Sequence, residues 1–412
     1  MAGILRVNCC MTNNCYFVTI RLWHVCSRNA TIILGLLYDG HKIEKWKGTC
    51  KMDRIVNVGI IGCGGIANGK HMPSLKAIPN VRMVAFCDII PEKAEEAAKK
   101  FGTEDAKVYT DYKELLKDES IEVVHVLTPN KEHADISVDA LYAGKHVMCE
   151  KPMAKTAADA QRMVDAAKAT GKKLTIGYQH RQKTSAQYAK EYIETGALGE
   201  IYYANSYAIR RRGTPNWGVF LNEEEQGGGP IIDIATHSLD LTLYLMNNYE
   251  PQMVVGKTHK KLEHPEAGNI WGDNGVSETP LEEAACAFIQ MKNGATIMLE
   301  TSWALNTAEP ITEGSCVLCG SKAGISLKND KLVINKVELN RQIVTNVDTS
   351  AGGVAFYDGA AVTPQLTEAA NWIKCIIDDT DPVVLPEQAL VVSQILEAIY
   401  TSSKTGKPVF FE

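Results

Sequence analysis

The stretch DRIVNVGIIGCGGIA, residues 53–67, joins an apolar run to a glycine-rich turn that leads into a helical pattern. Gly62 permits a tight turn, Gly64 lets the backbone approach a diphosphate, and Ala67 allows a helix to pack closely on the strand. The helix N-terminus then offers N–H donors and partial positive charge to phosphates. The candidate cofactor-binding residues here are Gly62, Gly64, Gly65, Ile66 and Ala67. The stretch predicts dinucleotide binding, with a purely structural turn as the alternative.

An acidic residue at the end of the next apolar run bears on which dinucleotide binds. Asp88 lies 26 residues beyond Gly62. A carboxylate at this position accepts hydrogen bonds from the adenosine ribose hydroxyls, and it would repel the additional 2′-phosphate of NADP. The sequence therefore favours NAD as the cofactor. The alternative is that Asp88, which precedes Ile-Ile-Pro, caps the following helix.

Short apolar runs alternate with amphipathic stretches outward from this turn, as far as residue 177. The predicted strands are 56–61, 81–87, 123–127, 146–149 and 174–176. The predicted helices are 91–101, 112–116, 132–142 and 157–170. Strand, helix and strand at this spacing require parallel pairing with right-handed crossovers. The predicted fold class is α/β, with a doubly wound parallel sheet in an N-terminal Rossmann domain at 52–177.

The pattern changes beyond residue 177, where strands follow one another with few helices between them. These predicted strands are 201–210, 252–259, 284–291, 296–303, 315–318 and 331–335. Helical periodicity returns at 364–378 and 386–404. We expect a C-terminal α+β domain at 178–412 with a largely antiparallel open sheet, whose last helices return to the Rossmann domain.

The first 51 residues differ from the rest of the chain. They contain seven Lys or Arg residues against two acidic ones, Asp39 and Glu44, and they hold five of the twelve cysteines. They show no sustained period of 2 or 3.6 residues. Our hypothesis is that residues 1–51 are an atypical, poorly ordered leader. The alternative is a genuine extension that packs on the surface.

Composition excludes several classes of function. A formal net charge of −6 argues against a nucleic-acid partner, which requires a concentrated basic surface. The apolar run at 30–38 is far shorter than the roughly 20 residues that span a membrane, and it lacks a secretion-signal layout. Scattered cysteines indicate free thiols, and the lone pair Cys316-x-x-Cys319 indicates no metal site. A cytoplasmic protein without a membrane or metal partner is expected.

The tripeptide Glu150-Lys151-Pro152 follows the strand at 146–149, at the sheet edge where open α/β sheets bind ligands. A lysine that directly follows an apolar strand is poorly solvated, which favours an ammonium near a substrate hydroxyl. The alternative is a surface lysine paired with Glu150. Both interpretations stay open at this point.

Residues 227–237, GGGPIIDIATH, combine a glycine loop with the start of a helix. Asp233 and His237 are four residues apart, on one helical face. Oxidation of an alcohol requires a base for the hydroxyl proton, and a histidine near neutral pKa serves this role. Asp233 would bind the substrate or tune His237. The alternative is a buried pair in which Asp233 and His237 only satisfy each other.

Taken together, GCGGIA, EKP and GGGPIIDIATHSLD resemble the glucose–fructose oxidoreductase / inositol dehydrogenase / rhizopine-catabolism (Gfo/Idh/MocA) family, from about Arg54 to the C-terminus. The resemblance implies NAD(P) on a Rossmann domain and a C-terminal domain that covers the substrate and mediates homo-oligomerisation. It implies a catalytic group of Lys151, Asp233 and His237, which is the usual acid/base. It further implies cofactor contacts from Thr128, Asn130, His133, Glu150, Lys151 and Gln179, and substrate contacts from Arg181, Asp233 and His237.

Within the family, residues 210–220, RRRGTPNWGVF, are similar to those of bacterial glycoside 3-dehydrogenases. This implies oxidation of the C3 hydroxyl of an O- or C-glucoside to a 3-keto sugar, which a partner lyase would consume. Trp217 would stack on a sugar face; alternatively it is a core residue, and the arginines form a solvated strand or subunit contact. The competing functions are an NAD-dependent glycosidase, an inositol dehydrogenase and a non-catalytic sugar-sensing regulator.

Overall fold

The computed structural model describes residues 4–11, 14–21, 54–349 and 363–412. In the N-terminal unit, strands β1 (Ile4–Met11) and β2 (Asn14–Arg21) pair as an antiparallel hairpin. The weak patterning of this stretch does not predict a hairpin, so the element is a finding of the structure. The other residues of the leader lie outside the described ranges, and its poor order stays a prediction.

A parallel sheet opens the second unit, residues 55–412. Its six strands, counted over the described residues, are β3 (Val56–Ile61), β4 (Val81–Cys87), β5 (Lys107–Tyr109), β6 (Val123–Val126), β7 (His146–Cys149) and β8 (Leu174–Ile176). They lie in the order β5-β4-β3-β6-β7-β8, and all pairings are parallel. The strand order reverses between β3 and β6, which opens a ligand crevice at their carboxyl ends. The predicted doubly wound sheet is confirmed.

The helices of this half of the unit follow its strands. They are α1 (Met72–Lys76), α2 (Pro91–Phe101), α3 (Tyr112–Leu116), α4 (His133–Tyr142) and α5 (Ala157–Thr170). A π-helical turn at Ala67–His71 precedes α1, and a 3₁₀ turn at Asn130–Glu132 precedes α4. Local chemistry sets the bounds of α5: the Thr156 hydroxyl accepts the Asp159 N–H at 3.0 Å, and left-handed Gly171 ends the helix.

The second sheet is mixed and mostly antiparallel. In the described part of the chain it has nine strands: β9 (Ile201–Ile209), β10 (Pro251–His259), β11 (Ala284–Met291), β12 (Thr296–Ser302), β13 (Ile311–Gly320), β14 (Ala323–Lys328), β15 (Lys331–Glu338), β16 (Arg341–Val347) and β17 (Val409–Phe410). The order is β16-β15-β14-β13-β9-β12-β11-β10-β17, and β9 with β12 is a parallel pair. The predicted α+β architecture with a largely antiparallel sheet is confirmed.

The described residues contain five further helices: α6 (Thr184–Glu194), α7 (Glu223–Gln226), α8 (Thr236–Met246), α9 (Pro364–Asp378) and α10 (Pro386–Thr405). Helix α8 contacts β9 and β13, and α10 contacts β10. Helix α9 returns to the first sheet, where Trp372 and Ile373 share a core with Val56 and Ile60. Among the described residues, no helix combines the length and apolar character that a membrane crossing demands.

Candidate active site

The glycine turn at the end of β3 leaves space for a diphosphate. Gly62 adopts a left-handed φ of 91°, and a Cβ atom there would lie 2.7 Å from the Leu127 backbone. Only glycine fits this position. A Cβ atom added at Gly64 or Gly65 would meet no atom within 4 Å, whereas Ala67 is fully buried against the sheet. The turn is therefore closely packed at Gly62 and has free space beside Gly64 and Gly65, which fits a dinucleotide.

Asp88 lies directly beside this turn. Its Oδ2 atom accepts the N–H of Cys63 at 2.8 Å, and its Oδ1 atom accepts the N–H of Ile90 at 3.0 Å. The second contact closes a turn before α2; the N-cap of that helix is Ile90 and no side chain caps it, so the alternative in which Asp88 caps α2 is wrong. A carboxylate oxygen accepts more than one hydrogen bond, so the ribose role remains compatible with this geometry.

The loop after β6 carries Thr128, Asn130 and His133. The buried Oγ1 atom of Thr128 has no hydrogen-bond partner within the described residues, which leaves it available to a cofactor. The Asn130 side-chain amide donates to the Gln226 carbonyl at 3.0 Å. His133 is buried between the carbonyl oxygens of Pro152 and Thr128, at 2.8 and 3.0 Å. His133 therefore positions two loops and does not face the crevice, which corrects its assignment as a cofactor contact.

Lys151 forms an ion pair with Asp233. The Lys151 ammonium donates to Asp233 Oδ1 and to the Asp233 carbonyl oxygen, both at 2.9 Å. The indole N–H of Trp303 donates to Asp233 Oδ2 at 2.9 Å, and the Arg210 guanidinium lies 3.9 Å from that atom. The alternative in which Lys151 pairs with Glu150 through its ammonium is therefore wrong. Burial raises the pKa of Asp233, but Lys151 and Arg210 outweigh it and the pKa lies below its ordinary value.

His237 is a buried, neutral imidazole. Its Nδ1 atom has no hydrogen-bond partner among the described residues, and its ring packs edge-on against His180, with centroids 4.8 Å apart. Burial lowers the pKa of His237 well below its ordinary value, and the nearby Lys151 ammonium lowers it further. The imidazole is therefore unprotonated at neutral pH, which is the state that a general base requires.

Asp233 and His237 do not satisfy each other, so that alternative is wrong. Asp233 lies in a π-helical turn, Ile231–Ala235, whereas His237 lies in the α-helix α8 that continues it. The hydrogen bonds of the Asp233 carboxylate go to Lys151 and Trp303. Lys151 thus links the two functional groups, since it contacts Asp233 and also affects the pKa of His237.

A partly buried carboxylate fixes the start of this helical segment. Glu282 accepts the N–H groups of Gly229 and Ile231 at 3.0 and 3.3 Å, and the Tyr400 hydroxyl of α10 at 2.7 Å. A Cβ atom at Gly228 would lie 2.0 Å from the Tyr400 oxygen, so glycine is required for this approach. The triple glycine therefore lets α10 and Glu282 clamp the segment that carries Asp233 and His237.

Arg181 does not face a substrate, which corrects its assignment. Its side chain is fully buried, and its N–H groups donate to both oxygens of Asp240, to the Val383 carbonyl, to Gln388 and to the Tyr249 hydroxyl. No donor remains for a ligand. Its neighbours in the 3₁₀ turn Gln179–Gln182 differ: Gln179 is partly exposed, and His180 contacts His237.

Sequence reasoning missed His180, whose position depends on distant residues. Gly314, with a left-handed φ of 75°, leaves room for the imidazole; a Cβ there would lie 2.2 Å from His180 Nδ1. Burial lowers the pKa of His180 to about 3. His180 is therefore a second neutral imidazole beside His237, and the motif Tyr178-Gln179-His180 was its only local signal.

Glu150 belongs to a buried polar network and does not face the crevice, which corrects its assignment as a cofactor contact. Its Oε1 atom accepts Lys70 and His71, both at 2.7 Å, and its Oε2 atom accepts the backbone N–H of Lys151 at 3.0 Å. Lys70 also pairs with Glu368 of α9 at 3.0 Å. Glu150 therefore positions the backbone of Lys151 and joins it to α9.

We expect Glu368 to make the stability of the protein depend on pH. Burial raises the pKa of Glu368 from 4.5 to about 7, against the opposing effect of Lys70. Between these values the folded state binds more protons than the unfolded state, so the free energy of unfolding falls as pH rises from 4.5 to 7. Glu368→Gln should remove this slope, worth at most about 3 kcal/mol, in urea unfolding at several pH values.

The control for this measurement is Glu387→Gln, which removes a partly exposed carboxylate from α10. This control should retain the slope of the wild type. Equal slopes for Glu368→Gln and the wild type between pH 4.5 and 7 would contradict the assignment.

Trp217 and Arg210 occupy the rim of the site. Trp217 is 48% exposed, so the alternative that it is a core residue is wrong. Its ring contacts Trp271, with centroids 4.8 Å apart. Arg210 lies beneath this pair, with its guanidinium 5.7 Å from the Trp271 ring centroid and close to Asp233. Among the described residues, no cluster of acidic, His or Cys side chains fits a metal ion.

Known proteins similar to this chain match both halves of the fold. The family descriptions "Oxidoreductase family, NAD-binding Rossmann fold" and "Oxidoreductase family, C-terminal alpha/beta domain" match residues 56–178 and 190–411. The D-glucoside 3-dehydrogenase of Escherichia coli (strain K12) is 32% identical over 354 residues, covering 86% of this chain and 97% of that protein. The levoglucosan dehydrogenase of Pseudarthrobacter phenanthrenivorans is 31% identical over 266 residues, covering 60% and 67%.

A solved structure of levoglucosan dehydrogenase in complex with NADH has a similar fold. Its TM-score is 0.74 at 23% identity, and the match covers 87% of this chain and all of that one. The two family descriptions agree with the glycine turn of the first sheet and with the Lys151–Asp233 pair at the edge of that sheet. The chain belongs to the Gfo/Idh/MocA family of oxidoreductases, with an NAD-binding Rossmann fold followed by the C-terminal α/β domain of that family.

Proposed function

We propose that this enzyme oxidises a secondary hydroxyl of a sugar, namely the C3 hydroxyl of a glucoside, to the 3-keto sugar with NAD. The observation that carries the proposal is that one helical segment carries both Asp233, which pairs with Lys151 at 2.9 Å, and the buried, neutral imidazole of His237. Lys151 of this pair lies just beyond the end of β7, at the same sheet edge as the glycine turn. The similarity to D-glucoside 3-dehydrogenase over most of both chains supports the choice of substrate.

Each side chain has a distinct role in the proposed reaction. Bound NAD supplies the hydride acceptor. His237 takes the hydroxyl proton as the carbonyl forms, because its imidazole is neutral and shares a helical segment with Asp233, the partner of Lys151. The Lys151 ammonium donates a hydrogen bond to the substrate oxygen and stabilises its developing negative charge. Asp233 holds that ammonium in place from 2.9 Å.

Product analysis tests this proposal. The purified chain is incubated with NAD and a panel of glucosides, levoglucosan and inositols, and the products are analysed by mass spectrometry and NMR. We expect NADH and a sugar lighter by two hydrogens, with the carbonyl at C3. Free aglycone without net NADH would indicate a glycosidase instead. Oxidation of inositols alone would overturn the glucoside assignment, and sugar binding without any product would indicate a sensor.

Asp88 provides a test of cofactor selectivity. We expect Asp88→Asn to lower the ratio of kcat/KM for NAD to that for NADP by about tenfold, because the amide no longer repels a 2′-phosphate. The amide oxygen still accepts a backbone N–H, so the bond to Cys63 has a replacement. Glu92→Gln, a charge change at exposed Glu92 in the first turn of α2, is the control. An unchanged ratio in Asp88→Asn would place the ribose contact elsewhere.

The proposal also covers the compartment, the oligomeric state and the partner of the enzyme. Buried thiols without disulfide partners, such as those of Cys63, Cys149 and Cys316, support a reducing cytoplasm. Val337 and Val344, which are exposed on one face of the neighbouring strands β15 and β16, support a homo-oligomer. A 3-keto group acidifies the adjacent C–H bond, so the product suits a partner lyase that eliminates the aglycone. Light scattering of the purified protein tests the oligomer, and a monomer would contradict it.

A further inference from the structure

Two large aromatic rings stand exposed at the rim of the active site. Trp217 and Trp271 are 48% and 42% exposed, and they meet edge to face with centroids 4.8 Å apart. An exposed cluster of large aromatic side chains on a soluble domain marks a surface that binds something. Isolated exposed apolar residues need no such explanation, but an adjacent pair of indoles does.

Hydrogen bonds fix the two loops that carry these rings. The N–H of Thr214 donates to the Asn269 side chain at 2.9 Å, and the Asn269 amide donates back to the Thr214 carbonyl at 3.1 Å. The Asn216 amide donates to the carbonyl oxygens of Trp271 and Gly272, both at 2.9 Å. The rings are therefore held in place before a ligand arrives, which reduces the entropy lost on binding.

The ring pair is continuous with the catalytic group along two routes. Arg210 lies between them, 5.7 Å from the Trp271 ring centroid and 3.9 Å from Asp233 Oδ2. Trp217 also contacts Phe220, which packs on a buried cluster that includes Trp303. Trp303 donates to Asp233. The rings are therefore within reach of a substituent on a sugar whose hydroxyl lies at Lys151 and His237.

A cavity of about 400 Å³ opens beside Trp217, between the same two loops. Its lining combines the indole ring and Leu221 with polar residues, among them Asn216, Asn274 and Glu278. An aromatic wall with a few convergent polar groups accommodates a flat apolar ring that carries hydroxyl groups. The size lies within the range of pockets that enclose one small-molecule moiety.

We propose that Trp217, Trp271 and the adjoining cavity form a subsite for a hydroxylated aromatic aglycone, so that the substrates are aryl glycosides. This inference rests on the proposed glucoside oxidation and specifies its substrate class. The sugar occupies the space near Lys151 and His237, and the aromatic group packs against the indoles beyond Arg210. The aglycone takes no part in the chemistry and contributes binding energy only.

The test compares a phenyl glucoside with the methyl glucoside of the same anomer. We expect the wild type to prefer the phenyl compound, and Trp271→Ala to lower the ratio of kcat/KM for phenyl to that for methyl by about tenfold. Trp271→Phe should restore most of the ratio. Tyr188→Ala removes an aromatic ring from α6 that is 41% exposed, against 42% for Trp271, and should leave the ratio unchanged. Equal losses on both glucosides, or no change in the ratio, would overturn the subsite.

Calorimetry separates the subsite from the proposed function. The two glucosides are titrated into the chain saturated with NADH, so that no turnover is needed. Preferential binding of the phenyl compound that disappears in Trp271→Ala supports the subsite even where neither glucoside is oxidised. Oxidation of both glucosides with equal binding and equal kcat/KM would leave the proposed function intact and remove the subsite. A disaccharide that binds as tightly as the phenyl glucoside, and loses as much in Trp271→Ala, would show that the aglycone is a sugar.

Discussion

His237→Ala is expected to lower kcat/KM for sugar-dependent NADH formation by about 10²- to 10⁴-fold, the usual contribution of a general base. The imidazole is neutral at working pH because burial and the Lys151 ammonium hold its pKa well below 6.5. The wild-type rate should therefore show no inflection near pH 6.5 from this group. Steady-state kinetics from pH 5.5 to 8.5 measure both effects.

The control for this substitution is His264→Ala, which removes an exposed imidazole and should retain wild-type kinetics. NADH binding, followed by fluorescence, should be unchanged in both variants, since the role assigned to His237 is proton transfer and not a contact with the cofactor phosphates. A His237→Ala variant that stays within threefold of the wild-type rate would end its assignment as the base.

Lys151→Met is expected to lower kcat by about 10²- to 10³-fold, because the substrate oxygen loses its charged donor. The substitution also leaves the Asp233 carboxylate, whose side chain is 12% exposed, without the ammonium 2.9 Å away. Loss of one partner of a buried ion pair destabilises a protein by up to about 3–5 kcal/mol. The cost here should be smaller, because Arg210 and Trp303 still face the carboxylate.

A double-mutant cycle separates the two consequences of Lys151→Met. Lys151→Met combined with Asp233→Asn removes both charges, so stability in urea unfolding should return toward the wild type while activity stays low. Lys151→Arg keeps the charge but replaces a compact ammonium with a planar fork, and it should restore stability more than rate. Full activity in the double variant would show that the pair is structural only.

Local sequence predicted the parts of the site that local geometry controls. The glycine turn and Asp88 lie within one strand-turn-helix-strand unit, so their spacing fixes their neighbourhood, and Cys63 does contact Asp88 at 2.8 Å. Strands with continuous apolar runs, such as β3, were also predictable. Strand β5 was not, because its three residues, Lys107–Tyr109, carry only one fully apolar side chain.

The partners of the catalytic groups could not be predicted, because they come from distant parts of the chain. The four-residue spacing of Asp233 and His237 predicted that they share one helical segment, but it could not predict that the Asp233 carboxylate pairs with Lys151, 82 residues away. Another bond to Asp233 comes from Trp303, 70 residues away. Similarly, Glu150 meets Lys70 and His71 across the sheet. No periodicity records such tertiary pairings.

The clamp of Glu282 and Tyr400 on the segment that begins at Gly229 has a consequence for synthesis of the chain. The parallel sheet is complete at Ile176, and domains fold as units from the N-terminus while the ribosome elongates the chain. Tyr400, whose hydroxyl holds Glu282 against the segment that carries His237, is translated much later. A nascent chain therefore passes through a stage at which every strand of the parallel sheet has been made, while helix α9, which completes the core of that sheet, and the Tyr400 hydroxyl are both still missing.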